Sequence, residues 1–510
     1  MARIAVIGAG MGAMATAARL AVAGHRVVVY ERGAAHGGGV GRFERDGFSF
    51  DTGPGLLHLP AVYRDLFVKT GKEPLERSVE LVQVDPAVRH LFADGTALVL
   101  PNASHGGVSQ AMDAALGAGA GERWSDLVNR AREVWDASRR PLLEEPLRAD
   151  WRVLGRDPYP AAPVRRWYGA RRPATLADVA RRELRDPRAV ALLESHALAH
   201  GLDPRAAPAA ATVLPYLEQT FGTWYVRGGM RALADALYER CRQRRVEFRF
   251  GAEVIRVIEE NGRAAGLELA DGTAVEADAV VAAVDPALLP GMLGGRRPWD
   301  DGDVSPDLGP GSATPGRLTV YLALRGARPA DTPHRTVVHA PDRTAELAGI
   351  FGDGRAMRKP CLRPTVTVLR PDDPTVCPDA DHEAVMLTAV VAPHGPVDWA
   401  DREAAEDDAD GLMTAAKMVI PDLAERVLWR EVRTPADTEA DTGARGGAVP
   451  GPALAGAAGR LLRPANVTRL PGLYLAGGWA HPGGGLAHTG MSGALVAGLI
   501  VEGEDFRGSQ

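Results

Sequence analysis

A chain of 510 residues with 45% apolar and 24% charged side chains has the composition of a globular protein with room for two or three domains. A formal net charge of −6 gives no electrostatic reason to expect nucleic acid as a partner. Three cysteines without a C-x-x-C pair, Cys241, Cys361 and Cys377, argue against a disulfide framework or a metal site and suit a reducing cytoplasm.

Ile4 to Gly24 is nearly uncharged, but Arg19 interrupts it and glycines fall at 8, 10 and 12, so it reads as strand, turn and helix rather than a leader or membrane span. The apolar pattern predicts a strand over Arg3–Ile7, a small-residue helix over Met11–Ala23 and a second buried strand over Arg26–Tyr30. Phe43–Phe50 alternates around Asp46-Gly47, a hairpin turn pair. Residues 71–221, rich in Arg, Ala and Pro, are mostly helical in pattern. From Met230 to Cys241 the apolar residues follow helical spacing, and a strand meander with turns at Asn261-Gly262 and Asp271-Gly272 leads into the strand Ala279–Val284. Asp300–Gly316 reads as a loop or linker. Strands follow at Leu318–Leu324 and Val385–Val391, with a helix at Asp407–Val419. Leu473–Leu475 is a strand, followed by a glycine-rich loop and a helix over Gly490–Val501. The architecture expected is α/β: a Rossmann-like nucleotide-binding domain assembled from residues 1–70, 222–290 and 441–510, with an α+β domain inserted as 71–221 and 291–440.

Gly8-Ala9-Gly10-Met11-Gly12-Ala13 lies between a strand and a helix, the context a dinucleotide turn requires. Gly8 permits the tight turn, Gly10 lets backbone approach a diphosphate, and Ala13 is small enough for close helix–strand packing. The anion would meet the free N–H groups of the first helical turn, where the helix dipole favours negative charge. Glu31, ending the second strand, would accept the hydroxyls of an adenosine ribose. After it come Gly37-Gly38-Gly39, the hairpin and Thr52-Gly53-Pro54, where an NAD domain would begin another helix and strand. That order suits a chain returning to the flavin ring of an extended FAD.

With these motifs, with Phe221-Gly222-Thr223-Trp224-Tyr225-Val226-Arg227-Gly228-Gly229-Met230, with Arg463-Pro464-Ala465-Asn466, and with Leu473-Tyr474-Leu475-Ala476-Gly477-Gly478-Trp479-Ala480-His481-Pro482-Gly483-Gly484-Gly485, the chain closely resembles the bacterial-type phytoene desaturase family of the flavin amine oxidase-like superfamily over nearly its whole length. The resemblance implies a glutathione reductase-2 type fold, one non-covalent FAD, and hydride transfer to flavin N5 from C–C bonds of an apolar polyene or isoprenoid held in a tunnel. By that likeness Gly8, Gly10, Met11, Gly12, Ala13, Glu31 and Arg32 hold the ADP half and Val254 meets adenine through its backbone. Thr52, Gly53, Pro54, Gly478, Gly490 and Met491 surround the isoalloxazine. The family usually follows its Gly-Gly with Arg or Lys, where this chain has Gly38-Gly39; either Arg42 substitutes for the missing cation or the cofactor is held more weakly.

Carbons beside an alkene carry no acidic proton, so cofactor and polyene delocalisation would do the hard step, and the chain shows no Ser-His-Asp, H-E-x-x-H or P-loop pattern. His481 is the candidate polar helper, set against a role as a brace for its loop. His58, Trp224 and Tyr225 are candidates to line the ring or tunnel, set against core packing. No second G-x-G-x-x-G follows a strand, which favours oxygen or a membrane quinone as electron acceptor over nicotinamide. Residues 151–190 carry ten arginines against four acids, with Trp151, Trp167 and Tyr168 among them, and could rest on anionic lipid; the alternative is an Arg-rich solvated surface in a chain with only four lysines. The rival readings are a tailoring oxidase or cyclase of a specialised metabolite such as a polyene tetramate, an amine oxidase, and a prenyl-binding escort protein on the same fold without turnover.

Overall fold

The computed structural model describes residues 1–165, 171–299, 314–352, 361 and 363–508. Trp167 and Tyr168, and nearly all of the linker expected at Asp300–Gly316, lie outside the described residues. The nucleotide-binding frame consists of β1 (Arg3–Ile7), α1 (Met11–Val22), β2 (Arg26–Glu31), the hairpin β3 (Arg42–Arg45) and β4 (Phe48–Asp51), and α2 (Ala61–Gly71). Of the helical insertion, α3 (Ala120–Arg139) and α4 (Val213–Phe221) bear on the site. The frame resumes with α5 (Met230–Gln243), β5 (Glu247–Phe250), β6 (Ala279–Ala282), β7 (Leu473–Leu475) and α6 (Leu486–Glu502).

Five strands from distant parts of the chain form one parallel sheet in the order β5-β2-β1-β6-β7. Parallel strands covered on both faces are apolar throughout rather than alternating, and Val6, Val29, Val280 and Val281 are fully buried here. Helices α1 and α5 pack with α2 on one face, joined by Met14, Leu20, Leu66, Phe67, Leu233 and Leu237 in one core. On the other face lies the antiparallel meander Val254–Glu260, Arg263–Leu269 and Ala274–Glu276.

A seven-stranded mixed sheet forms the second layer, in the order Val427–Arg433, Gly316–Arg325, His382–Val391, Val366–Leu369, Arg335–Val338, Val88–Leu91 and Ala97–Leu100. Its last two strands come from residues 71–221, a segment otherwise made chiefly of helices. They form a hairpin with each other around Asp94-Gly95, Val88 opposite Leu100, and Val88–Leu91 joins the sheet through a strand some 250 positions away, Thr336 opposite Arg89. The helix expected from Asp407 starts at Arg402, because the Asp401 carboxylate accepts the N–H groups of Glu403 and Ala404. The strand expected to reach Val284 stops at Ala282. No helix among the described residues is long and apolar enough to cross a membrane.

Candidate functional site

The turn between β1 and α1 is built as its glycines require. Gly8 has φ +89°, and its N–H donates to Tyr30 O at 2.8 Å, tying the turn to β2. Gly10 caps α1 with no side-chain bond, leaving the first-turn N–H groups to a ligand. Glu31 is held by its own turn: Oε2 accepts Ala9 N–H at 2.8 Å and Oε1 accepts Gly33 N–H at 2.7 Å. Ala252 N–H donates to the backbone Glu31 O at 2.9 Å, which ties the segment leading into Val254 to the end of β2.

Around this turn the other glycine segments converge. Gly37 N–H donates to Ala9 O at 2.8 Å, and a Cβ on Gly38 would stand 3.1 Å from Gly10 Cα. Thr52 N–H donates to Gly41 O at 3.1 Å, and a Cβ on Gly53 would run into Gly39 O, so the Thr52-Gly53-Pro54 segment lies along the glycine run. From the C-terminal side, a Cβ on Gly12 would come within 2.6 Å of Gly477 Cα and 3.1 Å of Thr489 Cγ2, and one on Gly493 within 2.6 Å of Ala15 Cβ. These contacts lock α6 against α1 and bring Gly477-Gly478 to the turn. By contrast a Cβ on Gly10, Gly39 or Gly477 would meet nothing within 4 Å. Closed packing on one side with open backbone on the other is a cradle of the kind a dinucleotide diphosphate fills, and the residues fit FAD.

α6 begins at Leu486 after Gly485, at φ +98°, not at Gly490 as the glycine pattern suggested. Leu486 to Thr489 continue the helix behind that cap, which places Gly490 in the second turn, where a Cβ would stand 2.9 Å from Val62 Cγ1. Met491 is buried among Met112, Leu454 and Ala487.

The cations of the site are differently placed. Arg42 donates to Gly228 O at 3.3 Å and to Glu44 at 3.4 Å, and Arg32 donates to Ala440 O at 2.7 Å. The guanidinium packed on the glycine run belongs to Arg231, near the start of α5. Its Nη1 donates to His36 O at 2.8 Å, its Nε to Asp235 at 2.7 Å, and Nη1 lies 3.4 Å from where a Gly37 Cβ would stand. His36 stacks on Tyr238 with ring centroids 4.0 Å apart. Arg231 was not singled out in the sequence, because one more arginine in an Arg-rich helix gives no signal. Asp51 was missed for a similar reason. It ends β4 and accepts the N–H groups of Met230 at 2.7 Å and Arg231 at 3.0 Å, capping α5 and joining the Thr52-Gly53 turn to Gly228-Gly229. Burial raises its carboxyl to about 6.

His481 is fully buried, with Nε2 2.9 Å from Glu145 O, and burial lowers it to about 4. Asn466 donates to His481 O at 2.8 Å and to Leu475 O at 3.0 Å, fastening the same loop. Trp224 donates to Phe221 O at 3.0 Å and packs against the core of the nucleotide-binding frame. Tyr225 donates to Asp373 at 2.9 Å and lines a cleft with Asp51, Gly228, His334 and Met386. His58 pairs with Thr223 in a short three-stranded sheet, and its imidazole faces the charges of Glu218 and Arg335, which bond to each other at 2.8 Å. A second, mainly apolar cleft runs between α3, α4, Pro452–Ala455 and His488. In the Arg-rich segment, Arg172 and Arg181 pair with Asp178 and Arg188 with Asp186, while Trp151 packs against Gly459.

The family described as flavin containing amine oxidoreductase matches residues 14–501. Hydroxyneurosporene desaturase of Cereibacter sphaeroides is 30% identical, the match covering 98% of this chain and 97% of that one. 4,4'-Diapolycopene oxygenase of a Methylomonas species is 27% identical over 98% of both chains. Among solved structures, an oxidoreductase from Methanosarcina mazei shares the fold with a TM-score of 0.63 at 18% identity, covering 97% of this chain and 99% of that chain.

Proposed function

The chain belongs to the flavin containing amine oxidoreductase family, and on that premise we propose that it is an FAD-dependent enzyme that dehydrogenates C–C bonds of an apolar polyene. The observation that carries the reading is the adjacency of the two parts of the site. His488 lines the apolar cleft, and the next residue, Thr489, lies beside Gly12 at the dinucleotide turn. A relative named for desaturating hydroxyneurosporene, matched over 97% of its length, supports the same substrate class.

FAD, when bound, supplies a two-electron acceptor for hydride. The protein's own contribution is binding, orientation and exclusion of water. First-turn N–H groups of α1 hold the diphosphate, Glu31 takes the ribose hydroxyls, and Val254 meets adenine through its backbone. Thr52, Gly53, Pro54, Gly478, Gly490 and Met491 enclose the ring. Arg231 keeps the loop at Gly37 in shape from below, where the family's usual Arg or Lys is missing. His481 braces the loop above by donating to Glu145 O. Leu142, Leu143, Val213, Leu214 and Leu217 align the chain of the substrate and keep water from it. These walls belong to the 71–221 insertion, which with 291–440 forms the substrate domain. Oxygen or a membrane quinone takes the electrons, and the 151–190 segment rests the enzyme, a cytoplasmic one, on the lipid that stores its substrate.

Anaerobic mixing of the FAD-loaded protein with phytoene or hydroxyneurosporene, an aliphatic diamine and a polyene tetramate tests this. Bleaching of the oxidised flavin by the isoprenoid polyenes, and not by the diamine, is the expected result. Bleaching by the diamine or the tetramate alone would overturn the reading.

A further inference from the structure

His58 ends a two-residue strand, Leu57–His58, that packs against α4, whose Leu214 and Leu217 line the apolar cleft, and against α6, which carries Met491. It stands four residues past Pro54, the last residue of the turn expected beside the isoalloxazine. Three imidazoles of this region are committed to backbone carbonyls: His196 faces Leu192 O at 3.0 Å, His200 faces His196 O at 2.9 Å and His481 faces Glu145 O at 2.9 Å. The His58 ring is half-buried. Its Nδ1 is enclosed by protein without a hydrogen bond, which leaves Nε2 as the nitrogen that opens on the interior. A buried polar atom without a partner calls for an explanation. A carboxylate also stands behind this ring. Glu218, on α4, accepts from Arg335 at 2.8 Å and lies 3.9 Å from His196 Nε2. Burial raises the Glu218 carboxyl, but the Arg335 cation and the imidazoles of His196 and His58 outweigh it and hold it at about 2, ionised. Desolvation, the largest influence on His58, keeps that ring neutral at rest; Glu218 and the Gly222 backbone favour its protonated form, and Arg335 and His196 oppose it.

Each new double bond removes a hydride and a proton from adjacent carbons, and apolar walls cannot solvate the proton. Once the hydride has left, the carbon skeleton is cationic and its neighbouring C–H is strongly acidic, so a neutral imidazole is base enough. Resting on the polyene reading above, we propose that His58 is the catalytic base of the dehydrogenation. One C–H bond breaks with its electron pair leaving in the hydride to FAD. The adjacent C–H bond breaks with its pair becoming the new C=C π bond, and the freed proton bonds to His58 Nε2. A carboxylate beside an imidazole stabilises the imidazolium that proton uptake creates, and Glu218 fills that place. His488, on the cleft wall, has no such carboxylate facing it.

The test uses FAD-loaded protein with phytoene and with hydroxyneurosporene, and reads the anaerobic rate of flavin reduction at saturating polyene alongside FAD affinity. His58→Ala should bind FAD as the wild type does and slow reduction about a hundredfold or more. Imidazole added to this variant should recover rate, and substituted imidazoles should do so in order of their basicity, which a merely structural role would not produce. His58→Gln keeps a polar side chain without a basic nitrogen and guards against a folding defect in the first variant. It should bind FAD normally, reduce as slowly and take no rescue. Wild-type rates in either variant, or slow reduction of His58→Ala that no imidazole improves, overturn the assignment while the desaturase reading stands. Failure of both polyenes to reduce the wild-type flavin overturns the desaturase reading itself, and this inference with it.

Discussion

The Glu31 carboxylate accepts two backbone N–H groups from opposite sides of the turn, so it shapes the site as well as offering oxygen to a ribose. Charge-assisted hydrogen bonds contribute about 1.5–3 kcal/mol each. Glu31→Gln should therefore weaken FAD binding by about tenfold to a hundredfold, read by quenching of flavin fluorescence on titration; an unchanged affinity would remove Glu31 from the cofactor site. Arg231→Ala should weaken the same affinity, with Arg231→Lys partly restoring it, because the lost guanidinium holds His36 O and the loop beside it. His481 gives a different expectation. Removing its side chain orphans a buried carbonyl and opens a void, so His481→Ala should lose about 1–3 kcal/mol of stability in urea unfolding. A normal stability with slowed flavin reduction would instead place His481 in the chemistry.

At the scale of elements, two joints decide whether the distant segments form one site. The first is the Asp51 cap. Asp51→Ala leaves the N-terminus of α5 without its acceptor and should cost about 1–2 kcal/mol, while Asp51→Asn retains much of the cap; equal unfolding midpoints for all three proteins would contradict the assignment. The second joint is the crossing of α1 and α6. A side chain at Gly493 meets Ala15 Cβ at 2.6 Å and Thr16 N at 2.8 Å, so Gly493→Val must push the helices apart. Overpacking of this kind costs about 1–3 kcal/mol. It should also lower FAD retention on gel filtration, since Gly477 rides on α6's side of the joint.

These joints also explain what the sequence discloses. The Gly8–Ala13 turn, the acid at Glu31 and the hairpin at Asp46-Gly47 are legible because local sequence determines them: Asp46 and Gly47 both adopt positive φ, as a tight two-residue turn demands. The cap by Asp51 and the Arg231 brace join residues more than a hundred positions apart in the chain and carry no local pattern. For Val88–Leu91 only half of the pairing is local: it forms a hairpin with Ala97–Leu100 around Asp94-Gly95, while its place in the sheet comes from a partner near residue 337.

Across the whole molecule, burial has left several imidazoles neutral. His200, His481 and His488 are lowered to about 4 and His339 to about 3, all by desolvation first. In the unfolded chain each titrates near 6.5. The folded state therefore binds fewer protons between those values, and its stability is intact above about pH 6.5 and falls as pH drops towards 4. Each group contributes about 1.4 kcal/mol per pH unit in that window. His334 is also lowered to about 4, while Asp51 and Asp408, both raised to about 6, act in the opposite direction, two groups against five. Urea midpoints measured from pH 7 to 4.5 should fall steeply; a flat profile would show that these imidazoles titrate normally.

In the proposed reaction a polyene loses a hydride to FAD, which the glycine cradle would hold, together with a proton. Its most direct test is a single anaerobic turnover, with flavin absorbance and product mass followed together. One flavin reduced for each polyene that becomes two hydrogens lighter is the expected result. Product lighter by two hydrogens with the flavin still oxidised, or reduced flavin with the polyene mass unchanged, would contradict it.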